Sequence, residues 1–386
     1  MKKYLAASIL VLTFLCLPPL LTVASQIEAT TIVLAGDIGG TNARLQLSQF
    51  KNGKKHVLAK KTYKVAEYDN IAKVITVFLS EFNYGNAAIN NVCFAVAGPI
   101  KNNKVQFTNA KWSIDAEQLK TTLKIDNIKL INDFEAIGYG IETLTAEDLY
   151  PLQKGTPEKN GLKAFLGAGT GLGVGFAYFA ESQYVVYPTE GGHTSFTPTD
   201  DIQMAILKYL HTKYNSNIST ERLLSGPGIV NIYNYFREVN PFNDIESNQL
   251  KKSLEDSSTD AGKEITDFAL EHPNDQMAAK TLETFVNIYG AKSGDLAFTL
   301  LPRGGLYIVG AIAAKVLTKK QFAANFMRAF GDKDSLSYML KDLPVWVILN
   351  TEVGLQGAEN YALKLALVRT KMSDTQENGL QSIYTQ

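Results

Sequence analysis

Four short runs in this chain carry residue types that could do chemistry together. The first is Gly36-Asp37-Ile38-Gly39-Gly40-Thr41, set between the apolar runs Thr31–Ala35 and Ala43–Leu47. Glycines let backbone N–H groups approach phosphate oxygens, Thr41 adds a hydroxyl donor, and Asp37 can hold Mg²⁺ through water. A hairpin turn alone would also favour Gly and Asp, but three glycines with an Asp and a Thr exceed what a turn needs. The second run, Gly167-Ala168-Gly169-Thr170-Gly171-Leu172-Gly173, again joins two apolar segments. It lacks the third glycine and the following helix of a Rossmann loop. The P-loop pattern fails too, because the Gly-Lys pairs at Gly53 and Gly262 have Ser48 and Ser257 where a glycine is required. Close strand packing is the other reading of these glycines. Two such loops in one chain favour a nucleotide clamped between two lobes.

The third run is Ile128-Lys129-Leu130-Ile131-Asn132-Asp133-Phe134-Glu135, an apolar strand ending in Asn-Asp and opening a helix. Asn132 with Glu135 three residues on can cap that helix, which frees Asp133 to take a proton from a hydroxyl attacking a γ-phosphate. In the fourth, Glu190-Gly191-Gly192-His193, a carboxylate and an imidazole flank two glycines that allow close backbone approach, a pattern suited to a polyol. Glu221, before Arg222-Leu223-Leu224-Ser225-Gly226-Pro227-Gly228, is by spacing alone as much an exposed helical Glu as a hydroxyl ligand.

These runs need a scaffold, and the rest of the chain reads as α/β. Strands are expected at 31–35, 43–47, 91–96, 128–131, 164–166, 174–178, 306–309 and 345–349, and helices at 71–81, 114–123, 202–214, 277–300 and 358–367. The two glycine-rich strand-turn-strand units suggest two related lobes. Between about Val239 and Gly262 the chain turns polar, as a solvated helical insertion would, and the tail after Lys371 is polar. Thirty-eight basic residues balance thirty-eight acidic ones with no basic block, which argues against a nucleic-acid partner. Two cysteines, Cys16 and Cys93, exclude a disulfide framework and a Cys-x-x-Cys zinc site.

With these pieces in order the sequence resembles the bacterial glucokinase family, in the hexokinase-like branch of the actin-like ATPase superfamily, from about Thr30 to Leu367. The resemblance implies a two-lobed actin-like ATPase (ribonuclease H-like) fold with an interlobe cleft. It implies ATP contacts at Gly36, Asp37, Ile38, Gly39, Gly40 and Thr41 in the first loop and Gly167, Gly169, Thr170 and Gly171 in the second. Asp133 would be general base for the 6-hydroxyl of glucose. Sugar contacts would be Asn132, Asp133, Glu190, His193, Glu221 and Asn109, the last in Thr108-Asn109-x-x-Trp112 near the sugar pocket. Gly304 to Gly310 resembles the adenosine-side motif, which usually ends in Gly-Gly and here ends in Gly310-Ala311. No cysteine follows His193, unlike the related repressor and sugar-kinase family with its cysteine zinc cluster. ATP as substrate, Mg²⁺, glucose, a homodimer and a cytoplasmic setting are further implications. A kinase for fructose or mannose, and an exported non-catalytic sugar-binding relic, are the alternatives.

The implied small lobe covers about 30–143 and is completed by about 348–370, with the large lobe at 144–347. Before it, Lys2 and Lys3 precede an uncharged apolar run, Tyr4 to Val23, and then Ala24-Ser25-Gln26. This reads as a secretory signal or membrane anchor, or as a stretch ahead of the true start. It is foreign to the glucokinase family and sits uneasily with ATP chemistry, since ATP is scarce outside the cytoplasm.

Overall fold

The β-branched runs all become strands, and their order brings the glycine turns together. A computed structural model describes residues 30–89, 91–107, 112–239 and 247–366; the apolar leader, Thr108, Asn109 and the polar tail lie outside them. The first sheet is built from β1 (Thr31–Ile38), β2 (Asn42–Lys51), β3 (Lys54–Lys64), β4 (Asn91–Val96) and β7 (Ile128–Asn132), while β5 (Lys104–Gln106) and β6 (Ser113–Asp115) pair apart as a ribbon. The second contains β8 (Leu149–Gln153), β9 (Lys163–Ala168), β10 (Leu172–Ala180), β11 (Gln183–Thr189), β12 (Gly305–Val309) and β13 (Val345–Ile348).

The sheet orders are β3-β2-β1-β4-β7 and β11-β10-β9-β12-β13-β8. In each, three strands joined by hairpins run antiparallel and two more continue in parallel, so the second repeats the first with β8 added at its edge. The internal likeness expected from the two glycine units is therefore real at the level of topology. β4 is buried along its whole length, as a parallel strand covered on both faces must be. The edge strands β3, β8 and β11 escaped the sequence reading, while β7 at the first sheet's other edge did not: β3 carries Lys54, Lys55, Lys60, Lys61 and Lys64 and is mostly exposed, the charge that protects an open edge also hiding its strand pattern.

Helix α1 (Ile71–Glu81) begins where Asn70 accepts from the Lys73 N–H and ends as expected. A helix from Ile114 was expected, but 113–115 is strand. Asp115 accepts from the N–H groups of Glu117 and Gln118, which starts α2 at Ala116 (Ala116–Leu123). Helix α3 (Asp133–Gly140) follows β7 directly. The second sheet is covered by α4 (Asp201–Tyr214), α5 (Gly226–Glu238), α6 (Asn248–Leu254), α7 (Ala261–Glu271), α8 (Gln276–Leu300), α9 (Ala311–Val316) and α10 (Lys320–Gly331). The polar stretch near α6 is not wholly solvated, since Leu250 is buried in the core. A last helix, α11 (353–366), starts earlier than the expected 358.

One core lies under each sheet, around Phe78 and Phe94 in the first and Tyr233, Tyr289 and Phe326 in the second. A third joins them: Val33, Cys93 and Ile131 meet Phe165 and Val309, with Ala136 and Tyr139 of α3 and Ala358 and Ala362 of α11 between. The two helices touch backbone to backbone. A Cβ on Gly357 would lie 1.7 Å from the Ala136 carbonyl, and one on Gly140 2.1 Å from that of Val353. That contact sets the position of α3, whose first residue is Asp133.

Candidate active site

The carboxyl ends of β1, β4, β7, β9 and β12 open into one cleft of about 1000 Å³. Loops leaving those ends are where α/β sheets bind ligands. Its walls are Gly39–Thr41 on one side and Gly167–Gly173 with Val309 and Gly310 on the other, with Asn132–Glu135 between. Pro188, Thr189, Glu190, His193 and Glu221 close one end. Both glycine runs are hairpin turns, the Gly39 N–H donating to the Asn42 carbonyl and that of Gly169 to the Gly171 carbonyl. Turn and cleft wall are thus the same residues. Gly36 and Ile38 stand back from the wall: a Cβ on Gly36 would be 2.6 Å from Phe94 Cδ1, and Ile38 is fully buried.

Asn132 caps α3, its Oδ1 accepting from the N–H groups of Phe134 (2.9 Å) and Glu135 (3.3 Å). Burial raises the Glu135 carboxyl, and the nearby Asn132 N–H partly offsets this. Asp133 is left with its Oδ1 on the Phe134 N–H at 2.9 Å and no cation beside it among the described residues. Burial pushes its carboxyl above the ordinary Asp value; the Phe134 N–H partly offsets this, and the neighbouring Asp37 raises it further. Asp37 is itself raised by burial, with Arg44 opposing through a 3.3 Å contact to Oδ2.

At the other end, Gly191–His193 form a tight turn in which the His193 N–H donates to the Glu190 carbonyl and the two side chains stand 3.8 Å apart. The glycines there also make a close approach within the protein. A Cβ on Gly192 would lie 2.0 Å from the Leu172 carbonyl, so the turn is pressed onto the start of β10. Glu190 and His193 side chains are 88% and 60% exposed and face open solvent at the cleft mouth. Glu221 is no exposed helical residue. It sits in the turn Thr220–Arg222, and its Oε2 accepts from the Leu172 N–H at 2.9 Å, packed where a Cβ of Gly171 would be. Asn109 lies outside the described residues. Trp112 is buried in the first sheet's core, its Nε1 donating to the Tyr68 carbonyl, and is not part of the cleft wall.

Gly310 holds φ +107°, a conformation that favours glycine, and caps α9 against the Ala168 carbonyl. Among the described residues no group of three or more His, Cys, Asp or Glu could enclose a metal ion alone. Asp133 lines the cleft and Asp37, set back from the wall, lies near enough to raise its pKa; two neighbouring carboxylates suit a divalent cation carried mainly by phosphate oxygens and water. Sequence reasoning missed the wall formed by Ala97-Gly98-Pro99-Ile100 and Phe107. Its signal was a Gly-Pro directly after the buried run Asn91–Val96, with Gly98 at φ +138°.

The glucokinase family model matches residues 34–365. The chain belongs to the glucokinase family. A glucokinase of Nostoc punctiforme is 40% identical over 344 residues, covering 87% of this chain and 100% of that one. The solved glucokinase of an Antarctic psychrotroph has a TM-score of 0.73 at 26% identity, over 86% of this chain and 98% of that one. A Balamuthia mandrillaris glucokinase, solved in complex with glucose, shares the fold with a TM-score of 0.68 at 20% identity, over 89% and 96%. The fold is thus the two-lobed actin-like ATPase fold of the glucokinases, and the chain is an ATP-dependent hexose kinase.

Proposed function

We propose that this glucokinase-family chain transfers the γ-phosphoryl group of ATP to the 6-hydroxyl of D-glucose, with Asp133 as the general base. The observation that carries the assignment of the base is the setting of Asp133. Its carboxylate stands at the end of β7 between two glycine hairpins, unpaired by any cation among the described residues, while Asn132 does the capping. In this reading the amides of Gly39–Thr41 and Gly169–Gly171 bind phosphate oxygens from the two walls, and Asn132, Glu190, His193, Glu221 and Asn109 hold the sugar hydroxyls.

Asp133 takes the proton of the 6-hydroxyl as that oxygen bonds to phosphorus and the bond to ADP breaks. In a loose transition state the hydroxyl becomes acidic late, so a modestly basic carboxylate suffices. Mg²⁺, held through water by Asp37, would neutralise charge on the phosphates. Residues 30–143 with about 348–370 act as one lobe and 144–347 as the other, and their closure excludes water that would hydrolyse ATP. A homodimer in the cytoplasm is the matching expectation. Among the described residues no helix is long and apolar enough to cross a membrane.

The test is ADP release by the protein beginning at Gln26, with MgATP and glucose, mannose, fructose, N-acetylglucosamine or no sugar. Release that depends on glucose and vanishes in Asp133→Asn supports the reading. Release with another hexose alone replaces the substrate, and none with any sugar overturns the activity.

A further inference from the structure

Helix α8 carries Ile288, Ala291, Lys292 and Asp295 on one stripe, spaced to share a face, and that stripe lies against Ser195–Thr197 and Thr220, the segments that follow the Glu190–His193 turn and open the Glu221 turn. Ile288 and Ala291 are buried and pack the helix in place. An ordinary Lys at position 292 would pair with Asp295 on its own helix. Here Lys333 takes that carboxylate at 2.8 Å. Lys292 instead donates its ammonium to Thr194 Oγ1 at 2.7 Å, and among the described residues it has no carboxylate in ion-pair contact.

Thr194 is the hub of that end of the cleft. Its Oγ1 accepts from Lys292 and donates to the Gly191 carbonyl at 2.9 Å, inside the Glu190–His193 turn. Its carbonyl accepts from the Thr220 N–H at 2.8 Å and the Thr220 hydroxyl at 3.1 Å. Thr220 opens the turn bearing Glu221, which grips the Leu172 N–H. One run of hydrogen bonds therefore ties α8 to the two turns that bear Glu190, His193 and Glu221, the side chains proposed to hold the sugar hydroxyls. A charged donor polarises the Thr194 hydroxyl and strengthens its bond to Gly191 beyond what a neutral donor would give.

We infer that Lys292 is a positioning residue for the hexose: through Thr194 it holds the Glu190–His193 turn in the geometry that receives the sugar, without touching the sugar itself. The inference rests on the reading of Glu190 and His193 as sugar contacts. Half-burial lowers the affinity of Lys292 for its proton while Asp295 opposes, so the ammonium is held there at an electrostatic cost. A longer-range role in folding would not be confined to one substrate, and that distinguishes the two.

Steady-state kinetics of Lys292→Met, Lys292→Arg, Thr194→Val and the double variant Lys292→Met/Thr194→Val test it, with melting curves run alongside. Lys292→Met should raise KM for glucose about 3- to 10-fold, as expected for a lost charge-assisted hydrogen bond, with KM for ATP unchanged. Lys292→Arg should restore most of the loss, and the double variant should be no worse than Thr194→Val. Lys292→Gln serves in place of Met if the Met variant does not fold. An unchanged KM in Lys292→Met, equal losses for both substrates, or additive effects in the double variant would each overturn the inference. Glu190→Ala in parallel separates the failures: if it raises KM and Lys292→Met does not, only the positioning role is lost, and if neither changes, the sugar assignment falls with it.

Discussion

In Asp133→Asn the side chain keeps its shape and the Oδ1 that accepts from the Phe134 N–H at 2.9 Å, while Asn132 goes on capping α3. What disappears is the ability to accept a proton at the end of β7. A lost general base lowers kcat about 10²- to 10⁴-fold, or about 2.7 to 5.4 kcal/mol of barrier at about 1.36 kcal/mol per decade. Affinity for glucose should hold, because the amide can still hydrogen-bond a hydroxyl. Stability should move the other way from activity. Burial raises the folded-state pKa of Asp133, so the native protein holds a proton in a pH window where the unfolded chain has already released it. Ionised Asp133 therefore destabilises the native state above its raised pKa, and that penalty disappears as pH falls through it. The Asn variant never carries the charge, so its Tm should exceed the parent's at neutral pH and converge with it in acid. The assays are coupled ADP release at saturating MgATP, equilibrium glucose binding, and melting curves from neutral pH downward. A kcat within about threefold of the parent's would remove Asp133 from the role of base, and a Tm below the parent's at neutral pH would refute the electrostatic argument.

Glu190→Ala and His193→Ala should raise KM for glucose about 10-fold or more while kcat changes less, since each removes a hydroxyl partner at the cleft mouth; a normal KM in both would displace the sugar site. Glu221→Ala should weaken both substrates, because its carboxylate also holds the Leu172 N–H beside the second glycine turn; a loss confined to glucose would show that turn to be self-supporting. Below the raised pKa of Asp133 the base is protonated, so kcat/KM should fall on the acid side, and Asp133→Asn should flatten that limb in whatever activity remains. Gly357→Ala should cost about 1–3 kcal/mol by overpacking against the Ala136 carbonyl, read as a lower Tm, and should reduce kcat by shifting α3; an unchanged melt would mean that α11 can slide freely.

The sequence by itself determined the parts with strong local signals. Apolar β-branched runs ending in Gly-rich or Asn-Asp segments marked β1, β7, β9 and β12 with the turns leaving them, and the run of β4 without its turn, because a buried strand is written in adjacent residues. Asn132 and Glu135 could be read as a cap for the same reason, a cap being a three-residue affair. The tertiary structure alone decided what depends on partners distant in the chain. The exposed strand β3 exists because β2 offers it a backbone ladder, and its lysines gave no apolar period to read. Glu221 and Gly171, fifty residues apart, meet only when the turn before α5 lies against β10. Gly192 is pressed so closely onto that strand that a Cβ would lie 2.0 Å from the Leu172 carbonyl, a packing reason for glycine that its spacing could not show. Lys292 donates to Thr194 on a distant loop while Lys333 holds Asp295, pairings that no local spacing announces. Hydrogen bonds between side chains carry no periodicity along a chain, so these last choices became visible only when the packing was in place.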